Sequence, residues 1–254
     1  MRNSFALVLV MFIGTSFGNA QGIVNTERML TNAGDSLTLS LEIAGDLSLG
    51  NVSLLQVDTQ LSSGIRKGNH LYRALFGYDF LRSDGSTLSA DLFHQFRYNY
   101  FVNRHSLYGF YQIQNAKALK LKNRQLAGGG FRFNLYQKKK EYVDVALGGF
   151  YESEIYNDPN ANNNRTAVQQ FRVNVNVFNR LMLTQRTQFL TTLYYQVSAE
   201  NTKDARLFLE STIRYTLGKS AFFVMYRDRY HSTPYIAGIE KADQKILFGF
   251  SFDL

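Results

Sequence analysis

Apolar and polar side chains swap places residue by residue along most of this chain. Leu37, Leu39, Leu41 and Ile43 are interleaved with Ser36, Thr38, Ser40 and Glu42, and Ile246, Phe248, Phe250, Phe252 and Leu254 with Leu247, Gly249, Ser251 and Asp253. A period of two belongs to a strand with one greasy and one polar face. The pattern recurs about a dozen times in stretches of nine or more residues, the length a tilted strand needs to cross a bilayer. Strands of a soluble sandwich average about five or six residues. The reading is all-β: a transmembrane antiparallel up-and-down β-barrel of about 12 strands.

The N-terminus reads as an address. Arg2 supplies a positive start, Phe5 to Ile13 an apolar core too short to span as a helix, and Gly18-Asn19-Ala20 a small-residue cleavage site. Residues 1–20 are therefore expected to be a signal peptide, 21–35 a periplasmic lead-in without period, and 36–254 the barrel. With no cysteine there is neither an acylated anchor nor a disulfide. Tryptophan is absent too, so the 16 tyrosines must supply the interfacial girdles.

Hairpin signals divide the barrel. Short ones stand at Lys67-Gly68-Asn69, Asn103-Arg104-His105, Lys138-Lys139-Lys140 and Gly218-Lys219-Ser220, and longer connections follow strands five, seven, nine and eleven. Barrels keep short turns on the periplasmic side, which places both chain ends there and suits an even strand count.

If the apolar set faces lipid, its complement lines the lumen. On the first four strands that complement includes Glu42, Asp46, Asp58, Arg73, Asp79, Asp91 and Arg97, mostly acidic. From strand six onward it includes Arg132, Arg172, Arg206, Arg214, Arg227 and Arg229, with Asp144, Glu152, Glu210 and Lys245, mostly basic. Two functions follow. Facing walls of opposite charge would orient small polar or acidic solutes in a narrow channel. Alternatively the charges pair, and with inward Phe93, Tyr108, Phe150 and Phe208 they fill the lumen of a structural or envelope-stress barrel.

The net charge of +8 suggests anionic partners, and for a barrel these are outer-membrane lipid and lipopolysaccharide rather than nucleic acid. Lys117, Lys120, Lys122 and Arg124 fall on an expected outer loop and are the candidate lipopolysaccharide contacts. The Asn-rich loop 157–164 offers only Asp158 as a charge, too few for calcium. No metal or cofactor motif stands out. Enzymatic chemistry is not expected: His94 has lipid-facing parity, but position 96 is Phe96, so the His-x-Ser arrangement of an outer-membrane lipid hydrolase is missing, and His231-Ser232 is only an adjacent pair in a loop.

Several segments carry a family resemblance. Leu49-Gly50-Asn51-Val52, Gly77-Tyr78-Asp79-Phe80, Arg97-Tyr98-Asn99-Tyr100-Phe101, Gly128-Gly129-Gly130-Phe131-Arg132 and Gly148-Gly149-Phe150-Tyr151-Glu152 occur in that order. In this the chain resembles the salt-induced outer-membrane protein family, outer-membrane β-barrels built on a domain of unknown function. The likeness runs from about Leu37 to Leu254 and implies location and architecture but no substrate; the barrel is expected to be a monomer, with the barrel assembly machinery as a partner. The likeness departs at the end of the chain, where Leu254 stands in place of the usual terminal aromatic, with Phe252 two residues before it.

Overall fold

The computed structural model describes residues 37–48 and 54–253. Twelve strands follow one another: β1 (Thr38–Ser48), β2 (Leu54–Lys67), β3 (His70–Ser83), β4 (Ser86–Val102), β5 (His105–Ala116), β6 (Leu121–Lys138), β7 (Glu141–Asn157), β8 (Arg165–Met182), β9 (Thr187–Ser198), β10 (Ala205–Leu217), β11 (Ser220–His231) and β12 (Ala242–Asp253). Each pairs antiparallel with the next, and β12 returns to β1, so the sheet closes. The expected signal peptide, the lead-in, the Gly50-Asn51 turn and the side chain of Asp46 lie outside the described residues.

Closure leaves no unpaired edge, the condition for holding strands in hydrocarbon. Alternation then decides the faces. On β8, Phe171, Val173 and Val175 are exposed on the outside while Arg172, Asn174 and Asn176 are buried within. Exposed tyrosines form two belts: Tyr72, Tyr98, Tyr136 and Tyr215 lie near one rim, and Tyr78, Tyr151, Tyr195 and Tyr230 near the other. Amphipathic rings at both rims mark the two membrane interfaces.

The rims differ. At one, two-residue turns join β2 to β3, β4 to β5, β6 to β7 and β10 to β11, and the start of β1 and the end of β12 lie there; this is the turn end. At the other, the loop end, connections run longer, up to residues 232–241 between β11 and β12, although β3 and β4 are joined by Asp84-Gly85 alone. Both of those residues have positive φ, 47° and 80°, as a hairpin turn matched to strand twist requires.

The glycine-rich segments have a packing role. Gly130 on β6 pairs with Gly148 on β7, and the inward ring of Tyr108 lies over both. A Cβ on Gly148 would meet the Gly129 carbonyl oxygen and the Tyr108 hydroxyl, each at 2.5 Å. Gly148→Ala should therefore destabilise the barrel by about 1–3 kcal/mol by overpacking, read as an earlier unfolding midpoint in urea.

Candidate functional site in the barrel lumen

Inward-facing side chains line the lumen at successive levels. Just inside the loop end, β7 sends in Glu152 and Glu154, β6 Arg124, β8 Arg172 and β10 Arg206. Arg124 stands directly across from Glu154 in the ladder. Glu152 meets three guanidinium groups, Arg172 at 2.5 Å, Arg206 at 2.9 Å and Arg124 at 3.1 Å. Glu154 meets Arg124 and Arg206, each at 3.0 Å, and accepts a hydrogen bond from the Tyr156 hydroxyl at 2.9 Å. Arg172 also reaches Asp204, from the β9–β10 loop, at 2.6 Å. Three arginines thus balance three carboxylates in a cluster almost closed to water. Buried charges persist only when paired in this way.

The β11–β12 loop is fastened to that cluster. The Tyr235 hydroxyl accepts from Arg172 at 2.8 Å and from Gln170 at 2.5 Å, and donates to Asp204. His231 Nε2 lies 2.8 Å from the other Asp204 oxygen. Beside them Ile236 packs with Ala116, Leu119, Leu121 and Tyr156, an apolar seal under the loop. Burial pushes the Asp204 carboxyl up, but hydrogen bonds from His231, Tyr235 and Arg172 outweigh it and hold the group well below the ordinary aspartate range.

A carboxylate with a depressed folded value contributes stability that is complete above its unfolded value, about 3.9, and is lost as pH falls toward the folded one. A spin label on Thr233→Cys, a clean single site in a cysteine-free chain, should stay immobilised from pH 8 down to pH 5 and loosen only below about pH 4. Release near pH 6–7 would assign control of the loop to another group.

Deeper in the barrel an aromatic layer occupies the β5–β10 side of the lumen. Tyr108, Ala146, Phe178, Tyr194 and Phe208 pack together from five strands. Tyr194 holds an edge contact to Phe178 at 5.7 Å and a tilted one to Phe208 at 5.8 Å between ring centres. Guanidinium groups cap the rings, Arg97 over Tyr108 at 4.5 Å and Arg132 over Phe178 at 4.6 Å. Ala146, Phe178 and Phe208 have 0 % of their surface exposed, so the layer is dry there.

On the β1–β4 side the acidic wall meets the basic wall. Arg227 reaches across to Asp58 at 3.3 Å while holding Glu210 at 3.1 Å, and Arg214 reaches Glu42 at 3.4 Å. Arg229 approaches Asp243 at 4.0 Å, and away from this side Arg132 on β6 pairs with Asp144 on β7 at 2.6 Å. Asp58, Asp79 and Asp91 are consecutive partners across β2, β3 and β4.

The expected lumen residues Glu42, Asp58, Asp79, Asp91, Arg132, Arg172, Arg206, Arg214, Arg227 and Arg229 therefore sit on inward-facing positions. Arg124 requires a correction. β6 begins at Leu121, so Arg124 is an inward strand residue with 0 % exposure and two carboxylate partners, and not part of an outer loop. Lys117 and Lys122 are exposed at the loop end, and Lys120 Nζ donates to the Ala237 carbonyl at 3.4 Å. Ser232 does not join His231: its hydroxyl donates to the Lys203 carbonyl at 2.6 Å and accepts from the Ala205 amide at 2.8 Å. Glu154, Asp204, Tyr156 and Tyr235 complete the cluster without having been expected there. Glu154 carried a signal, since it continues the parity of Glu152; Asp204 and Tyr235 lie in loops, where no period speaks for them.

Comparison with known proteins agrees with this architecture. Residues 41–254 match the family described as "Protein of unknown function, DUF481". The chain belongs to that family. No curated protein matches it. Among solved structures, this DUF481 barrel is similar to the NanC porin with a TM-score of 0.56 at 10 % identity, over 84 % of this chain and 100 % of that one. It also matches the outer-membrane channel DcaP of Acinetobacter baumannii (TM-score 0.40, 11 % identity, 86 % and 96 % covered) and LpxR from Salmonella typhimurium (TM-score 0.43, 9 % identity, 85 % and 99 % covered). At these identities what is shared with the NanC porin is the fold, that of an outer-membrane β-barrel.

Proposed function

We propose that this DUF481 protein is an outer-membrane barrel whose lumen is filled and does not conduct. The observation that carries this reading is the dry aromatic layer, stacked below a second obstruction in which Arg124, Arg172 and Arg206 are as completely buried. A passage wide enough for a hydrated solute would leave water-accessible surface on the side chains facing it. The role suited to such a barrel is structural or envelope-protective. The chain reaches the outer membrane behind a cleaved signal peptide, is inserted by the barrel assembly machinery as a monomer, and touches lipopolysaccharide phosphates through Lys117 and Lys122 at the loop end.

Refolded chain beginning at Gln21, reconstituted in a planar bilayer, should insert and remain electrically silent. Discrete steps with anion preference, altered by Arg172→Ala or Arg214→Ala, would establish instead a narrow channel for small polar or acidic solutes. That second reading is favoured by one observation, the charged cavities enclosed between β2–β4 and β11–β12.

A further inference from the structure

We propose that the larger of these cavities binds a small zwitterion, a molecule carrying one ammonium and one carboxylate group, such as glycine or alanine. It encloses about 70 Å³ near the loop end. A water needs roughly 10–15 Å³ of such space, so the cavity holds about five waters or a solute of about five or six non-hydrogen atoms. A second cavity of about 50 Å³ adjoins it, sharing Asp79, Phe93 and Arg229 as walls.

The charges around this space are unequally satisfied. Asp58, Asp79 and Asp91 stand side by side on neighbouring strands, an arrangement that like charges disfavour unless something compensates them. Asp58 has Arg227 at 3.3 Å and the Gln56 amide at 3.0 Å. Asp91 accepts a hydrogen bond from the Lys117 backbone N–H at 2.7 Å. The middle carboxylate differs: among the described residues Asp79 makes no hydrogen bond and no ion pair, and senses Arg227, Arg229 and Lys245 only at longer range.

The facing wall repeats this with the opposite sign. Lys245 makes no hydrogen bond and no ion pair among the described residues and senses Asp79 only at longer range, and the buried Nε of Arg229 has no acceptor, its nearest carboxylate being Asp243 at 4.0 Å. At Arg132, Arg172, Arg206, Arg214 and Arg227 acid and base have closed onto one another; here they stop short and leave a gap.

A gap with free acid on one side and free base on the other selects its occupant. A simple anion drawn to Lys245 and Arg229 would sit before the carboxylates of Asp79, Asp91 and Asp243, which line the same cavity. A simple cation drawn to Asp79 would face two basic groups. A zwitterion satisfies both walls: its ammonium donates to Asp79, and its carboxylate accepts from Lys245 and Arg229 in charge-assisted hydrogen bonds. The volume of the cavity sets the size limit, about five or six non-hydrogen atoms at roughly 10–15 Å³ per water.

The test is titration calorimetry on the folded full-length barrel in detergent, using glycine as the probe with glycolate and ethylamine as its two halves. Glycine should bind saturably, and glycolate and ethylamine at least tenfold more weakly. Asp79→Asn and Lys245→Met should each weaken glycine at least tenfold, and Lys245→Arg should keep binding, which separates loss of the charge from loss of the fold. No saturable glycine binding, glycolate binding as tightly as glycine, or glycine binding untouched by both Asp79→Asn and Lys245→Met would overturn the proposal. The outcome is independent of conductance, because a closed-ended site and a silent barrel are compatible.

Discussion

Replacing Glu152 by alanine should cost the barrel about 3–5 kcal/mol, the penalty for stranding buried charge. The effect comes from what remains behind. Glu152 is shared by Arg124, Arg172 and Arg206, and their side chains are no more than 1 % exposed. Without it three guanidinium groups face only Glu154 and Asp204 across a space that water does not reach. Neither arginine deprotonation nor solvation relieves the imbalance. Glu152→Gln should be milder, since the amide oxygen still accepts one hydrogen bond, and Glu152→Gln combined with Arg206→Met should recover part of the loss by removing the excess cation. Unfolding of the refolded barrel in urea, followed by circular dichroism, reads all three. A Glu152→Ala penalty below about 1 kcal/mol would mean that the arginines are satisfied by other groups.

The second large effect is on conductance. Phe178→Ala with Phe208→Ala removes two rings from the aromatic layer and should convert a silent barrel into a conducting one once the loop end is also freed by Tyr235→Ala. The triple variant should pass anions in preference to cations, because Arg97, Arg132 and Arg229 stand against the rings that are removed or next to them. Each phenylalanine truncation costs about 3–5 kcal/mol of packing, so insertion must be verified before current is measured. An inserted triple variant that stays silent would place the obstruction outside both the layer and the loop seal.

How much of this was legible depended on periodicity. On β8 each residue's neighbours declare its face, and the assignment of Arg172 inward and Val173 outward needed no structure. Arg124 shows the opposite case. The run Gly128-Gly129-Gly130 erases the alternation that would have linked it to Arg132, and the basic residues just before it make a strand look like a solvated loop. Stepping back by twos from Arg132 reaches Arg124 on the same face. Asp204 and Tyr235 had no such signal, because their places are set by contacts between loops far apart in the chain. That the acidic and basic walls would touch was likewise invisible: Arg227 and Asp58 belong to opposite ends of the sequence. The apolar residues that break the polar face, Phe93, Tyr108, Phe150 and Phe208, were the readable sign of apolar packing inside the barrel, and all four are buried.

The neighbours β1 and β12 are the first and last strands, and their pairing runs from Ser40 with Asp253 to Gly45 with Phe248. No part of this chain is therefore a smaller version of the whole. Removing the last hairpin would leave raw edges on both β1 and β10 in hydrocarbon, where no water can cap their backbone groups. Assembly has a terminal event, the meeting of the two chain ends, and until it occurs every intermediate is an open, adhesive ribbon. Cuts in the loop-end connections leave every ladder intact and should be tolerated, whereas shortening from either end by a single strand should abolish the barrel altogether.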